Sequence, residues 1–151
     1  MDEPKKIALA LPFIDADATD YLAEVVNENW VTSGGPAVTK FENQLQEFLY
    51  TEREVVALNS GTAALHLALK LAGVQSGDFV LCQTMSFVAS SNPIAYLGAI
   101  PVFIDSERST YNLAPENVEE AIEWCLKQNK KPAALVAVHS FGILSLIHIS
   151  E

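Results

Sequence analysis

The alternation of short apolar runs with helical segments between residues 54 and 138 restricts the fold more than any other feature of this sequence. The runs at 55–58, 79–83, 101–104 and 133–138 are too short for stable helices, so we expect four strands. Apolar residues at helical spacing predict helices over 62–72, over most of 86–97 and after Pro115. This alternation predicts parallel strands joined by right-handed crossovers, and hence an α/β fold with helices on both faces of a mainly parallel sheet.

Two amphipathic helices are predicted before this alternation begins. The first follows an acidic stretch at 15–20, whose side chains suit a helix start, and ends near Asn29. The second runs over about 36–50 and begins with a proline. A short apolar extended piece at 7–13 precedes both. The acidic stretch is not a calcium-binding loop, because glycine and glutamate are missing from the positions that such a loop requires.

The chain is acidic, with a formal net charge of −10 over 151 residues. This charge argues against nucleic acid or an anionic membrane as a partner. A hydrophobic content of 50% is sufficient for one domain with its own core. Neither a signal-like segment nor an apolar run long enough to span a bilayer is present, so we expect a cytoplasmic protein.

Neither the two cysteines nor the three histidines have the spacing of a metal site. Cys82 and Cys125 are far apart and lie on predicted core faces. We therefore expect two buried, reduced thiols and no bound metal.

The sequence Asn59-Ser60-Gly61-Thr62 marks a tight turn between the first predicted strand and the following helix. Small residues allow a ligand to approach the backbone closely, and the first amides of a helix have no intrahelical acceptor. The turn therefore suits an anion, above all a phosphate. On this stretch alone, helix capping by Ser60 or Thr62 is the favoured interpretation.

Several polar segments are predicted beyond the carboxyl ends of the strands, where parallel α/β sheets bind their ligands. These segments are residues 60–62, residues 84–87, Asp105 and His139. Phe87 is an aromatic residue at a place where an aliphatic core residue is more usual, which indicates a phosphorylated planar cofactor or base stacked on its ring. Neither a G-x-G-x-x-G nor a G-x-x-x-x-G-K-[ST] fingerprint is present.

Four spaced motifs resemble the DegT/DnrJ/EryC1/StrS aminotransferases. They are residues 30–36 with Phe41 and Glu42, residues 60–69, residues 86–94 and residues 101–105. The resemblance implies the large domain of a fold-type-I pyridoxal-phosphate transferase, here with an incomplete sheet. It also implies amino transfer from glutamate to a nucleotide-linked keto sugar in exopolysaccharide or glycan biosynthesis.

The resemblance further implies roles for individual residues. The residues implied to bind pyridoxal 5'-phosphate are Gly61, Thr62, Ala63 and Phe87. The first three would hold the phosphate, and the aromatic ring would stack on the pyridine. The residues implied to approach the sugar nucleotide are Thr32, Ser33 and Gly34. In a full-length protein they would lie near the interface of a homodimer.

The family's chemistry needs a lysine that binds the cofactor as an imine and an acid that pairs with the pyridine nitrogen. Both belong to motifs beyond the position of Gly142, and none of the lysines in this sequence matches the catalytic motif. We therefore expect no catalytic residue within these 151 residues, and no complete transamination by this polypeptide alone.

The predicted boundary lies at Gly142. Residues 1–142 are the expected N-terminal part of the large domain, and residues 139–142 still resemble the family's His-Leu-Tyr-Gly. Residues 143–151 alternate like a strand but do not resemble the family. We hypothesise that this tail is foreign to the reading frame of the gene.

Two other functions remain open on the sequence. A catalytically inactive, truncated paralogue would bind a phosphorylated ligand or pair with a full-length subunit. A sugar dehydratase would use another base in place of the imine lysine. The nucleotide and the carbon that receives nitrogen are not determined by the sequence.

Overall fold

Strand β1 (Phe79–Gln83) is the central strand of a three-stranded parallel sheet in the computed structural model, which describes residues 11–145. It lies between β2 (Ile100–Ile104) and β3 (Ala134–Val136), with Leu81 opposite both Val102 and Leu135. The predicted parallel α/β architecture is thereby confirmed. Pro101 is tolerated because β2 is an edge strand of this sheet.

The helices of the structure are α1 (Ala18–Asn27), α2 (Pro36–Phe48), α3 (Gly61–Leu71), α4 (Asn92–Tyr96) and α5 (Pro115–Lys127). Single 3₁₀ turns lie at Val88–Ser90 and Ser140–Gly142. The predicted helix within 86–97 is therefore split, and its regular part has Pro93 in the first turn, as expected.

Successive side chains of β1 enter two cores on opposite faces of the sheet. Val80 and Cys82 pack into a cluster to which α3 and α4 contribute, whereas Phe79 and Leu81 pack into a cluster to which α5 contributes. This division follows from the strand order. The chain goes from β1 to β2 on one side and then returns to β3 on the other, so right-handed crossovers put α4 and α5 on opposite faces.

Residues 55–58 do not form the predicted strand. They have no ladder partner among residues 11–145, and the backbone amide of Ala57 donates instead to the carboxylate of Glu42 at 2.8 Å. A β-strand exists only when a neighbouring backbone satisfies its amides and carbonyls, and an apolar run by itself does not supply that neighbour. The prediction of a strand at this position was wrong for this chain.

The residues up to Ala57 and those from Leu58 onwards form two separate units. Within the first unit, α1 and α2 confirm the two predicted N-terminal helices, and neither has a fully buried residue. Of the predicted extended piece at 7–13, residues 11–13 have no regular structure, and the remainder lies outside the described residues.

Trp30 and Gly35 are in close contact in the loop between α1 and α2. A β-carbon at Gly35 would lie 2.9 Å from Cε3 of Trp30, and the φ angle of Gly35 is +130°. Glycine is therefore required at this position both by space and by backbone conformation.

Of the predicted tail, residues 143–145 have no regular structure, and residues 146–151 lie outside the described residues. Within residues 11–145, no helix is long and apolar enough to cross a membrane.

Candidate functional site

Ser60 caps α3 and leaves two backbone donors at the start of the helix. Its Oγ accepts from the amide of Ala63 at 3.2 Å, while the amides of Gly61 and Thr62 have no acceptor among the described residues. The capping function favoured for this stretch is confirmed for Ser60. The space beside Gly61 is open, since a β-carbon there would meet nothing within 4 Å. An anionic group can therefore approach the helix start beside Gly61.

The start of α3 lies at the carboxyl edge of the sheet. A short turn joins the end of α3 to β1, so the helix runs antiparallel to the strand and its first residues return to the strand's far end. The lengths agree, because eleven helical residues span about 16 Å and five extended residues span about the same distance. Helix α3 also packs against the 3₁₀ turn Val88–Ser90, which directly follows Phe87.

Phe87 lines an open cavity of about 470 Å³ at the same edge. Its side chain is 79% exposed, so one face of the ring is free for a partner. The other lining residues follow β1 and β3 and are Met85, Ser86, Ser90, Val138, His139, Ser140 and Phe141. The strand order reverses between β1 and β3, and such a switch point is where doubly wound α/β sheets bind ligands.

The ring nitrogens of His139 are distinguished by a backbone contact. Its Nδ1 lies 3.1 Å from the amide nitrogen of Ser145 and accepts that hydrogen bond. In the neutral ring, the proton is then on Nε2, which makes Nε2 a donor.

A hydroxyl pair strengthens the turn that carries Phe87. The Oγ atoms of Ser86 and Ser90 are 2.6 Å apart, and the amide of Ser90 donates to the carbonyl of Phe87 at 2.9 Å. The aromatic side chain is therefore exposed on a turn with its own internal hydrogen bonds.

Two buried amides beneath this cavity were missed by the sequence analysis. Gln83, at the end of β1, is 2% exposed and Asn112 is 1% exposed. A glutamine that ends an otherwise apolar run, at the sheet edge that binds ligands, was the available signal.

Asp105 follows β2 at the carboxyl edge, as predicted, and its carboxylate accepts from the amide of Ser106 at 2.8 Å. Next to it, Glu107 accepts hydrogen bonds from the hydroxyls and amides of both Ser109 and Thr110. These hydrogen bonds, those from the hydroxyls above all, lower the pKa of Glu107 to about 2. The carboxylate is therefore charged, and its oxygens accept hydrogen bonds within the turn. Glu107 is for these reasons a poor candidate for an acid catalyst.

The predicted substrate residues Thr32, Ser33 and Gly34 lie in the first unit, in the loop between α1 and α2. The Thr32 hydroxyl donates to the Gly34 carbonyl at 2.8 Å and lies 3.3 Å from the Gly34 amide, from which it accepts. All three residues are exposed. The cofactor residues predicted from sequence belong to the second unit, where α3 and the Phe87 turn share one edge of the sheet.

The lysines of the second unit lie away from this edge. Lys70 is nine residues after Gly61 on α3, or about 14 Å along the helix axis. Lys130 Nζ donates to the carbonyl of Gly77 at 2.7 Å, in the turn that precedes β1 at the opposite edge. Lys127 is the last residue of α5, and Lys131 follows Lys130 directly in the chain.

A cluster of three or more residues able to bind a metal ion is not found within residues 11–145. The candidate site consists of the start of α3, which can bind an anion, and the cavity lined by Phe87, which can bind a flat ring. Both belong to a parallel α/β sheet.

Comparison with known proteins agrees with that class. Residues 12–149 match the family described as the DegT/DnrJ/EryC1/StrS aminotransferase family, so the chain belongs to this family. The recognition made from the four sequence motifs is confirmed.

Two relatives illustrate the similarity. The chain is 44% identical over 138 residues to a Bacillus subtilis (strain 168) protein named "Putative pyridoxal phosphate-dependent aminotransferase EpsN", covering 91% of this chain and 35% of that protein. It is 32% identical over 142 residues to GDP-perosamine synthase of Caulobacter vibrioides, covering 94% of this chain and 36% of that protein. The chain thus spans about a third of the length of these relatives.

Solved structures show the same fold. A DegT DnrJ EryC1 StrS aminotransferase from Brucella abortus superposes with a TM-score of 0.77 at 33% identity, covering 84% of this chain and 34% of that one. The PMP form of the "Putative sugar aminotransferase Spr1654" from Streptococcus pneumoniae gives a TM-score of 0.78 at 29% identity, covering 93% of this chain and 33% of that one. The predicted fold class is therefore confirmed.

Proposed function

We propose that residues 1–142 are the N-terminal part of the large domain of a pyridoxal-phosphate-dependent sugar aminotransferase. Two features at one edge of the sheet carry this proposal. They are the amides of Gly61 and Thr62, which have no acceptor within residues 11–145, and the exposed ring of Phe87. The matched range extends to residue 149, which includes most of the tail; the origin of that tail stays a prediction.

The residues present fit the phosphate of the cofactor. Two amides without an acceptor in the described part of the chain lie at the positive end of an eleven-residue helix and would attract a dianion, and the open space beside Gly61 would admit it. The amide of Ala63 is bound to Ser60 in this structure, so its contribution would require that the cap bond be shared or exchanged.

The residues present also fit a flat ring. Phe87 offers a free aromatic face in a cavity of about 470 Å³, within the range of small-molecule sites. Bound there, the cofactor would supply an electron sink for amino transfer. This part of the chain would bind and orient it, and would hold the ring beside the His139 loop.

We propose a nucleotide-linked keto sugar as the amino acceptor and glutamate as the donor. The name of the Caulobacter relative, GDP-perosamine synthase, supports a sugar nucleotide. Thr32, Ser33 and Gly34 provide exposed hydroxyls and backbone for contacts with it. Homodimer formation and a cytoplasmic location stay predictions.

A second candidate is a catalytically inactive module that binds a phosphorylated ligand or pairs with a full-length subunit. The positions of the lysines in the second unit favour this inactive module, because those lysines lie away from the carboxyl edge of the sheet, where Phe87 lies. We therefore propose that the 151-residue chain does not complete transamination alone.

The native genomic DNA beyond the codon for Gly142 separates the two candidates. An open frame with an aspartate motif and a later lysine supports the aminotransferase. A frame that closes after the codon for Glu151 supports the inactive module.

The ligand proposal is tested by titrating the 151-residue chain with pyridoxamine 5'-phosphate (PMP), whose amine cannot form an imine with a lysine. Phe87→Leu removes the stacking face and should weaken PMP binding by about two- to twelvefold, which corresponds to roughly 0.5–1.5 kcal/mol of aromatic stacking. Phe103→Leu, on β2, is the matched control, because Phe103 is also exposed and does not line the cavity.

Equal affinities for PMP in both variants and the unmodified chain would contradict the assignment of Phe87. If the unmodified chain fails to bind PMP at millimolar concentration, the proposed cofactor site is wrong for this polypeptide.

A further inference from the structure

The side chain of Gln83 donates hydrogen bonds beneath the aromatic cavity. Its Nε2 lies 2.8 Å from the carbonyl oxygen of Met85, 2.7 Å from that of Tyr111 and 2.9 Å from Oγ of Ser140. The side chain is only 2% exposed, so these contacts are shielded from water. One amide thus connects three segments that are distant in sequence.

The orientation of this amide is fixed by its partners. Two of them are carbonyl oxygens, which only accept, so a reversed amide would place Oε1 against both. In the observed orientation, Oε1 has no partner among the described residues. A leucine or methionine would remove this unpaired acceptor, but it would also take the donor away from the carbonyls of Met85 and Tyr111. The amide nitrogen is therefore the part of the side chain that these segments require.

Asn112 extends the same network. Its Oδ1 accepts from the amide of Ser140 at 2.8 Å, and its Nδ2 donates to the carbonyl of Ile143 at 3.0 Å. The two buried amides therefore fix the 3₁₀ turn Ser140–Gly142 from both of its ends.

The segments joined in this way have unfavourable backbone conformations. Tyr111 has a φ angle of +63° and Phe141 has one of +55°, values that residues with a β-carbon rarely adopt. Such conformations persist where surrounding contacts enforce them, and they are concentrated at ligand sites. The Gln83 bond to the Tyr111 carbonyl and the Asn112 bond to the Ser140 amide are those contacts.

We infer that Gln83, assisted by Asn112, is a positioning residue that holds the Met85–Phe87 segment and the Ser140–Gly142 turn as the two walls of the cavity. The inference rests on the proposed function in one respect, namely that the cavity receives the ring of a phosphorylated cofactor. Gln83 acts through Phe87 and Phe141, both of which line the cavity, whereas Gln83 does not.

Hydrogen exchange of individual amides, followed by NMR, tests this role without any ligand. The Ser90 amide reports on the Phe87 wall, because it donates to the Phe87 carbonyl, and the Ser140 amide reports on the opposite wall. In Gln83→Met both should exchange at least about tenfold faster, while the strand amides of Leu81 and Cys82 keep their rates. Gln75→Met is the matched control at an exposed glutamine of the same unit.

Unchanged exchange at Ser90 and Ser140, or equal acceleration throughout β1, would overturn the inference. If Gln83→Met does not fold, Ser140→Ala serves instead, because it removes one partner of Nε2 and leaves the strand core intact. A smaller acceleration at Ser90 is then expected, and its absence would count against the inference.

Affinity measurements separate positioning from general stability. In Gln83→Met, the Kd of PMP should rise about tenfold, whereas the Kd of inorganic phosphate at the start of α3 should stay unchanged. Faster wall exchange with an unchanged PMP Kd would leave Gln83 a purely structural role and overturn the inference. A failure of the unmodified chain to bind PMP would instead refute the proposed function, and the exchange rates would still decide whether Gln83 holds the walls.

Discussion

Ser60 Oγ accepts a hydrogen bond from the Ala63 amide at 3.2 Å, and this contact caps α3 without using the amides of Gly61 and Thr62. The capping interpretation and the phosphate interpretation of the same stretch are therefore compatible. The cap fixes the helix start, and the space beside Gly61 is open.

Substitution of Ser60 should separate stability from anion binding. Ser60→Ala removes the cap and should lower the free energy of unfolding by about 1 kcal/mol. Ser60→Asp keeps a capping oxygen and suits the helix dipole, so stability should be retained, but its charge should weaken binding of inorganic phosphate. Urea denaturation and phosphate titration by NMR measure the two effects. Equal phosphate affinity in Ser60→Asp and the unmodified chain would show that the anion does not bind here.

Two glycines at opposite ends of α3 should respond differently to alanine. Gly61→Ala meets no atom within 4 Å and should leave stability unchanged or slightly raised, but its methyl group should reduce PMP binding. Gly73→Ala also has space, yet its φ angle of +87° is unfavourable for alanine and should cost about 1 kcal/mol. Thermal unfolding and PMP titration provide the comparison. Undiminished PMP binding by Gly61→Ala would contradict the phosphate site.

Glu107 should give the turn at 107–110 an acid-dependent stability. Hydrogen bonds from Ser109 and Thr110 lower its pKa from the usual 4.5 to about 2 in the folded chain. The stabilisation is therefore fully present above pH 4.5 and is lost as the pH falls from 4.5 towards 2. A carboxyl-carbon NMR titration measures the pKa directly. Glu107→Gln should remove the pH dependence of the protection factor of the Ser109 amide in this range, and an ordinary pKa near 4.5 would refute the assignment.

The two cysteines should be unreactive in the folded chain. Burial raises the pKa of the Cys82 thiol to about 11, and burial also raises the pKa of Cys125. At pH 8 only about one Cys82 in a thousand would be a thiolate, the reactive form. A chromogenic disulfide reagent should therefore modify both thiols rapidly in urea and slowly without it. Rapid modification of the folded chain would show that the core opens readily.

Three of the four predicted apolar runs correspond to observed strands, including β3, whose partner β1 lies far earlier in the chain. The span Phe79–Gln83 was predicted with its observed bounds and has ladder partners on both sides, in Ile100–Ile104 and Ala134–Val136. Residues 55–58 have an equally apolar pattern but no ladder partner within residues 11–145, and pairing is a non-local property that a local pattern does not contain.

Only part of the candidate site could be predicted from the sequence. Ser60, Gly61 and Phe87 follow local rules for helix starts and strand ends, so their types and positions indicated a phosphate and a ring. Gln83 offered only the signal of a polar residue that ends an apolar run, and the network it forms with Asn112 was not predictable, because their partners are main-chain groups and a serine hydroxyl up to 57 residues away in sequence.

The sequence by itself determined the family, the parallel α/β class, the helix starts and the residues at the strand ends, since these depend on local periodicity and on motifs of small and aromatic residues. The tertiary structure decided which apolar runs became strands, which face each helix covers and how buried amides hold Tyr111 and Phe141 in left-handed conformations. These features depend on hydrogen-bond partners brought together only by folding, and a buried polar group is acceptable only where such partners are available.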